Sequence, residues 1–177
     1  MKMGRFLLNK KAQVLSADLV VSIFIFTIII SLFFIFWRNV YNNLTMQEKF
    51  LELQYSAIRI SNMLVKTTGY PSNWNSTNVV QIGLASEANV LSIEKLRVFL
   101  DINYAEIKRI MKISEDFRVR VKYRNGSTIL DNLGLPLEKG LEPSPSAKII
   151  VPIERPCLLK LENVTVICIF EFKLWST

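Results

Sequence analysis

The chain has 177 residues, half of them hydrophobic, and its 22 basic and 15 acidic residues give a net charge of +7. It contains no histidine and only two cysteines, which excludes a histidine-based catalytic pair and disfavours a zinc site. It has no glycine-rich phosphate loop, nucleophile elbow or metal-ligand cluster, so we expect no enzyme activity, no cofactor and no metal.

The first 17 residues carry a basic cluster and no acid. The basic residues are Lys2, Arg5, Lys10 and Lys11. Lysine and arginine beside a membrane span stay on the cytoplasmic side, so we predict a cytoplasmic N-terminus. Because much of the net charge serves this topology signal, the positive charge is poor support for nucleic-acid binding, and we expect none.

Residues 19–37 form an apolar run without a charge, a glycine or a proline. As a helix the run is roughly 28 Å long, the thickness of a bilayer's hydrocarbon core. Its polar residues Ser22, Thr27 and Ser31 can bond to carbonyls of their own helix. We predict one transmembrane helix over residues 13–37, with the rest of the chain extracytoplasmic. The alternatives are a buried helix of a soluble domain and a cleaved secretory signal, which is disfavoured by the length of the run.

The junction before the run reads Lys10-Lys-Ala-Gln-Val-Leu-Ser-Ala-Asp18. A basic pair, a small residue, a glutamine and one acid before an apolar helix resemble the processing site of archaeal type IV pilin-like proteins, the class III signal peptides. The resemblance implies that a prepilin-type peptidase removes residues 1–12 by cutting between Ala12 and Gln13. Family members usually carry glutamate at the fifth mature position, whereas Asp18 would be sixth, or fifth if the mature chain starts at Val14.

The carboxylate of Asp18 suits the positive end of a helix dipole. The resemblance further implies that it pairs with the N-terminal amine of a neighbouring subunit. The alternative is a plain acid at the start of a helix, in the inner headgroup region.

Residues 38–68 contain no glycine or proline, and apolar residues recur there at helical spacing. We predict an amphipathic extension of the membrane helix that packs on a globular head, which is the architecture of the pilin-like family. A free stalk or a short coiled coil is the alternative. The stripe consists of Val40, Leu44, Leu51, Tyr55, Ile58, Asn62 and Val65.

Gly69 and Pro71 end this helix, and we expect Tyr70 and Trp74 to pin the turn to the head. A carbohydrate-stacking role for the two aromatic residues is the alternative. The Gly-Tyr-Pro-x-x-Trp segment also resembles one that follows the long helix in archaeal pilin-like membrane proteins.

Residues 69–177 are predicted to form one extracytoplasmic α+β head with two short helices and an antiparallel sheet. We expect a strand at residues 79–83, helices at 92–101 and 104–113, and a loop at 134–146. Ser92 is the expected N-cap of the first short helix.

Apolar and basic residues alternate over residues 117–124, which predicts a strand with four cations on its outer face. Asn125-Gly126 predicts a type I′ hairpin turn after this strand. We expect the cationic face to be a solvated edge; binding of acidic lipid, glycan or a neighbouring subunit is the alternative.

Residues 155–170 read as a hairpin in which Cys157 lies opposite Cys168. Directly opposed residues have Cα atoms about 4.5 to 5.5 Å apart, which allows a disulfide, and we predict one in the oxidising exterior. Two buried thiols are the alternative. Four Asn-x-Ser/Thr sequons are possible glycosylation sites, namely Asn43, Asn75, Asn125 and Asn163.

Together these features predict a single-pass, pilin-like structural subunit of an extracellular filament or of its assembly apparatus at the cell surface. Its expected partners are the lipid bilayer, the prepilin-type peptidase, and copies of itself or other pilin-like subunits. The alternative is an extracytoplasmic binding domain of the cell envelope that keeps its leader as a permanent anchor.

Overall fold

The computed structural model describes the backbone of residues 6–131, 133–161 and 164–176, and the side chains of the first helix from residue 17 onward. The chain divides into two compact units, Met1–Lys49 and Phe50–Thr177. The helices are α1 (Phe6–Lys66), α2 (Ile93–Asp101) and α3 (Tyr104–Met111). The strands are β1 (Ala85–Glu87), β2 (Val90–Ser92), β3 (Asp116–Lys122), β4 (Glu138–Gly140), β5 (Ile149–Leu161) and β6 (Val164–Ser176).

The described part of the first unit is α-helical and belongs to α1. The most apolar stretch of 18 residues in this helix has a mean hydropathy of 3.0, and none of it is buried. Within the described residues, α1 is the one helix long and apolar enough to cross a membrane. The predicted apolar helix at the N-terminal end of the chain is therefore confirmed.

The second unit is an α+β head built on a six-stranded sheet in the order β1-β2-β5-β6-β3-β4. The antiparallel sheet that we predicted is a mixed sheet, because β2 and β5 run parallel. The two short helices α2 and α3 are present as predicted. The Ser92 side chain accepts a hydrogen bond from the backbone N–H of Lys95 at 3.4 Å, which confirms Ser92 as the N-cap of α2.

The second-unit part of α1 contributes one face to the hydrophobic core. The buried residues Leu53, Ala57, Ile60 and Leu64 follow one another at steps of three and four, so they share a helix face. The core continues with α2, α3 and the inner face of the sheet, including the fully buried Phe117, Phe170 and Phe172.

The C-terminal end of α1 is tied to the segment that leads into β1. The last carbonyls of a helix have no partner within it. Here the carbonyl of Leu64 accepts a hydrogen bond from Leu84 N–H at 2.8 Å, and that of Thr67 accepts one from Ala85 N–H at 3.2 Å. The carbonyl of Val65 is bonded by the N–H of Asn89 at 3.0 Å. The helix end is therefore capped by backbone groups from elsewhere in the fold.

Residues 79–83 do not form the strand that we predicted. The only ladder contact of this segment is an isolated bridge between Tyr70 and Gln81. The segment packs closely on the turn after α1, since a Cβ on Gly83 would lie 2.2 Å from the backbone nitrogen of Gly69. Its role is to hold the turn after α1, while the first strand begins at Ala85.

The prediction for the aromatic residues of that turn is half right. Trp74 is buried and pins the turn, whereas the Tyr70 side chain is 66% exposed. The Trp74 indole N–H lies 3.1 Å from the carbonyl oxygen of Thr68 and 3.0 Å from that of Gly83, and it donates to both.

Strand β3 confirms the predicted alternation, since Phe117, Val119 and Val121 are buried. The turn that follows differs from the predicted type I′ turn, which needs positive φ at both central residues. Of the pair Asn125 and Gly126, only Gly126 has positive φ. The loop instead spans three residues and is closed by the N–H of Tyr123, which donates to the carbonyl of Ser127 at 2.8 Å.

The segment predicted as a loop over residues 134–146 contains the short strand β4, which pairs with β3. Strand β5 is long and includes two prolines, Pro152 and Pro156. The N–H of Leu158 donates a hydrogen bond to the carbonyl of Asn89, on the side of β5 that faces β2. Successive backbone N–H groups of a strand point to alternate sides, so the nitrogens of Pro152 and Pro156 also lie on the β2 side. There β2 pairs only with residues 158–160, so neither proline interrupts the ladder.

Candidate functional site

The apolar run of α1 is exposed and lacks a partner in the described structure. Its large side chains over residues 19–37 are between 37% and 67% exposed. Thr27 donates its hydroxyl to the carbonyl of Ile23 at 2.8 Å, and Ser31 donates to that of Thr27 at 2.7 Å. The prediction that hydroxyls in the run bond within their own helix is confirmed for these two residues. The surface can therefore contact lipid or another apolar helix while these two hydroxyls keep their hydrogen bonds.

Asp18 is exposed on α1 and forms no ion pair with any side chain that the structure describes. In the full chain Asp18 does not lie at the start of the helix as predicted, because α1 begins at Phe6 and has no acid in its first turn. A chain that began at Gln13 would place Asp18 in the second helical turn. Ala12 and Gln13 lie within α1, and their side chains are outside the described residues.

Three of the four sequons fall on exposed, described residues. Asn43 lies within α1. Asn75 and Asn125 lie in turns, where the carboxamide oxygen of each accepts a hydrogen bond from the hydroxyl two residues on, both at 2.7 Å. The fourth, Asn163, lies outside the described residues.

The two cysteines lie directly opposite each other, which confirms the predicted register of β5 and β6. The disulfide predicted between Cys157 and Cys168 is not formed, because their Sγ atoms are 3.1 Å apart and both are free thiols. The distance suits a hydrogen bond between thiols, whereas an S–S bond is about 2.05 Å long. This hydrogen bond, together with burial, raises the pKa of Cys168. The same hydrogen bond lowers the pKa of Cys157, but both thiols are buried, so neither is accessible as a nucleophile.

The cationic face of β3 is not the solvated edge that we expected. Strand β3 lies between β6 and β4, and its cations pair with acids on neighbouring strands. Arg120 lies 3.0 Å from Glu171, and Lys122 bonds to both Glu171 and Glu154. The signal missed in the sequence was the set of acids that these strands present opposite the cations.

Glu171 is the centre of this ion cluster. Burial opposes its ionisation, but hydrogen bonds from Lys122, Arg120 and Lys173 outweigh burial and lower its pKa to about 2. Arg118 pairs with Glu138 at 2.9 Å and also with Glu142. Four cations, Arg118, Arg120, Lys122 and Lys173, thus meet four acids, and we interpret them as a stabilising network. The fourth cation predicted for this face, Arg124, lies beyond the end of β3, is exposed and forms no ion pair with a described residue.

A groove of about 650 Å³ in the second unit does carry uncompensated charge. The last two turns of α1 line it together with residues before β1 and the end of α3. Its cations are Arg59, Lys66 and Lys112, and no acid is among the described residues that line it. The lining residues are Arg59, Asn62, Met63, Lys66, Thr67, Val80, Gln81, Ile110, Met111 and Lys112.

The groove combines an apolar floor with a basic rim. Met63 and Ile110 are half-buried and Met111 is buried, whereas the three cations are exposed. None of these cations forms an ion pair with a described residue. The groove is not visible in the sequence, because its cations lie on two helices that are distant in the chain and meet only in the folded head. Such a surface suits an anionic group attached to an apolar body.

Comparisons with protein-family models, with curated proteins and with solved structures find no match to this chain.

Proposed function

We propose that this protein is a pilin-like structural subunit, which the apolar part of α1 holds in the membrane and which assembles through packing between such helices. The observation that carries the proposal is the bare apolar surface over residues 19–37, none of it buried within the chain. One chain that contains such a helix and an α+β head has both a membrane anchor and an extracytoplasmic domain.

The proposed topology has the N-terminus in the cytoplasm and the head outside, because the basic residues precede the run. In this topology a prepilin-type peptidase would remove the leader at Ala12, and Asp18 would neutralise the new amine of a neighbouring subunit. The resemblance of residues 10–18 to class III signal peptides supports this part of the proposal, as does the absence of an ion-pair partner for Asp18 among the described side chains.

Leader processing is tested by the mass of the N-terminal peptide after expression in the native host. We expect a mature chain that starts at Gln13 or Val14. A start at Met1 or Lys2 would contradict processing and favour the second candidate, a permanently anchored envelope-binding domain. The basic groove of the head is the observation that favours this second candidate.

Assembly is tested with Asp18→Ala in the full chain. We expect the variant to reach the membrane with a folded head but to be missing from the sheared surface fraction that contains filaments. Asp18→Glu is the matched control, since it keeps the carboxylate and should assemble. Intact filaments of the alanine variant would argue against charge pairing.

A further inference from the structure

We propose that the basic groove of the head binds the exposed α1 segment around Glu52 of a second copy, so that assembled subunits are staggered along their helices. This inference rests on the proposed function and names a contact between subunits outside the membrane. It starts from charges that the fold leaves without partners.

The groove presents the first half of the contact. Arg59 and Lys66 lie seven residues apart on α1, close to two helical turns, so both face the same way. Lys112 joins them from the end of α3, where it adopts a left-handed conformation with φ of 55°. Between these cations the Oδ1 atom of Asn62 is shielded from solvent and accepts no hydrogen bond from a described residue. The three cations are what an acidic partner would neutralise, whereas the Asn62 oxygen, itself an acceptor, cannot bond a carboxylate.

The same face of α1 presents the second half. Glu52, Tyr55, Arg59, Asn62 and Lys66 follow one another at steps of three and four, so they form one stripe. The stripe lies opposite the buried face of the helix and is acidic at its beginning and basic at its end.

The acidic end of the stripe is also apolar and lacks a partner. Glu52 is exposed and forms no ion pair with a described residue. Leu51 is 48% exposed and Tyr55 is 72% exposed. A carboxylate between two large apolar side chains matches a groove that has an apolar floor and a basic rim.

The offset between the two halves fixes the geometry of the contact. If two parallel copies meet through this stripe without an offset, Glu52 faces Glu52 and Arg59 faces Arg59, which is repulsive. An axial shift of seven residues would bring Glu52 to Arg59 but would also set Arg59 against Lys66, which is again repulsive. A shift of fourteen residues, about 21 Å, brings Glu52 to Lys66 without opposing like charges of the stripe, and this is the offset that we propose. Each copy in such a pair still has either its basic groove or its Glu52 segment free. A further copy can bind there, so the contact can repeat along a filament.

The test is zero-length carbodiimide coupling of the full chain in native membranes and in the sheared filament fraction. We expect a peptide in which the Glu52 carboxylate is joined to the Lys66 amine with loss of one water. Within one chain these residues are about 21 Å apart along the helix, so such a link must join two copies. A mixture of ¹⁴N- and ¹⁵N-labelled chains would show links of mixed label.

Charge reversal provides the matched test. Glu52→Lys should lower the amount of assembled protein at least about tenfold, because it places a cation against the groove. Adding Arg59→Glu and Lys66→Glu to that variant should restore assembly to within about threefold of wild type. Glu87→Lys, which reverses another exposed acid of the head, is the control and should assemble normally.

The other results of the coupling and charge-reversal experiments distinguish failure of this contact from failure of the proposed function. Filaments that form without the Glu52 link, or that tolerate Glu52→Lys, would overturn this contact and leave the proposed function standing. Loss of assembly on reversing the groove but not Glu52 would show that the groove takes a different anion, which also overturns the proposal. A wild-type chain that keeps its leader and never assembles would overturn the proposed function and this contact together.

Discussion

The indole nitrogen of Trp74 donates a hydrogen bond to the carbonyl oxygen of Gly83 at 3.0 Å, beneath a turn where both residues are buried. The same N–H reaches the carbonyl of Thr68, so one side chain joins the segment that leaves α1 to the segment that returns towards β1. It adds to the backbone hydrogen bonds that Tyr70 makes with Val80 and Gln81 in the same turn.

Trp74→Phe should lower the free energy of unfolding by about 1 to 3 kcal/mol, because phenylalanine fills much of the site but leaves the buried carbonyl of Gly83 without a donor. The carbonyl of Thr68 keeps a second donor, the Lys95 ammonium at 2.6 Å. The measurement is the urea midpoint of the detergent-solubilised full chain, followed by far-UV circular dichroism. Tyr70→Phe is the control, since the Tyr70 side chain is mostly exposed and should be neutral. Equal midpoints for wild type and Trp74→Phe would contradict the role of the indole N–H.

Gly83→Ala should destabilise the head by about 3 kcal/mol or more, because the new methyl group would meet the rigid backbone of Gly69 and Thr67 at 2.2 and 2.3 Å. Gly126→Ala is a useful contrast. Its φ is +89° but nothing lies within 4 Å of the added group, so we expect only the backbone cost of about 1 kcal/mol. The midpoints of thermal unfolding of the two variants measure the difference, and the same loss for both would contradict the close approach at Gly83.

Glu171→Gln should cost about 2 to 3 kcal/mol of unfolding free energy at neutral pH, because Lys122 and Arg120 lose the carboxylate that they share. Glu142→Gln removes an acid whose side chain is 70% exposed and should change stability by about 0.5 kcal/mol or less. Urea unfolding at pH 7 compares the two variants.

The lowered pKa of Glu171 predicts how the free energy of unfolding depends on pH. Its pKa is lowered from 4.5 to about 2 in the folded chain, so its contribution is complete above about pH 4.5 and disappears as the pH falls towards 2. The difference between wild type and Glu171→Gln should shrink over that range. A difference that stays constant down to pH 2 would show that Glu171 does not titrate with a depressed pKa.

Ile28→Arg tests the membrane helix. The residue lies in the middle of the apolar run and is 45% exposed, and a central arginine opposes insertion by about 3 kcal/mol. We expect a larger share of the variant in the soluble fraction after alkaline extraction of membranes. Met46→Arg, also on an exposed part of α1 but beyond the run, should remain with the membrane. Equal retention of both variants would contradict a span at residues 19–37.

The features predicted correctly from the sequence are those whose pattern repeats over several residues. The pairing of Cys157 with Cys168 follows from the alternation of the two strands and a two-residue loop, and β3 was visible in the alternation from Phe117 onward. The three-residue strands β1, β2 and β4 are too short to show a period. The parallel pairing of β2 with β5 joins segments more than sixty residues apart, which no local pattern specifies.

The candidate sites divide in the same way. The apolar run and Asp18 could be found from the sequence because their chemistry is contiguous in the chain. The groove could not, since Lys112 reaches Arg59 and Lys66 only after α3 packs in the head. The ion cluster was half visible, because the cations of β3 were noted but their partner Glu171 lies on a strand whose register with β3 was unknown.

The backbone capping of α1 has a mechanical consequence. A pull along α1 in the N-terminal direction reaches its last turn, whose carbonyls at Leu64 and Val65 are bonded to Leu84 and Asn89, and the bond from Ala85 to Thr67 follows just beyond the helix end. The load then passes into β1 and from there through β2 to the long strand β5. Several hydrogen bonds must break together before the end of α1 can unfold. The head therefore resists tension on α1 through several backbone hydrogen bonds at once.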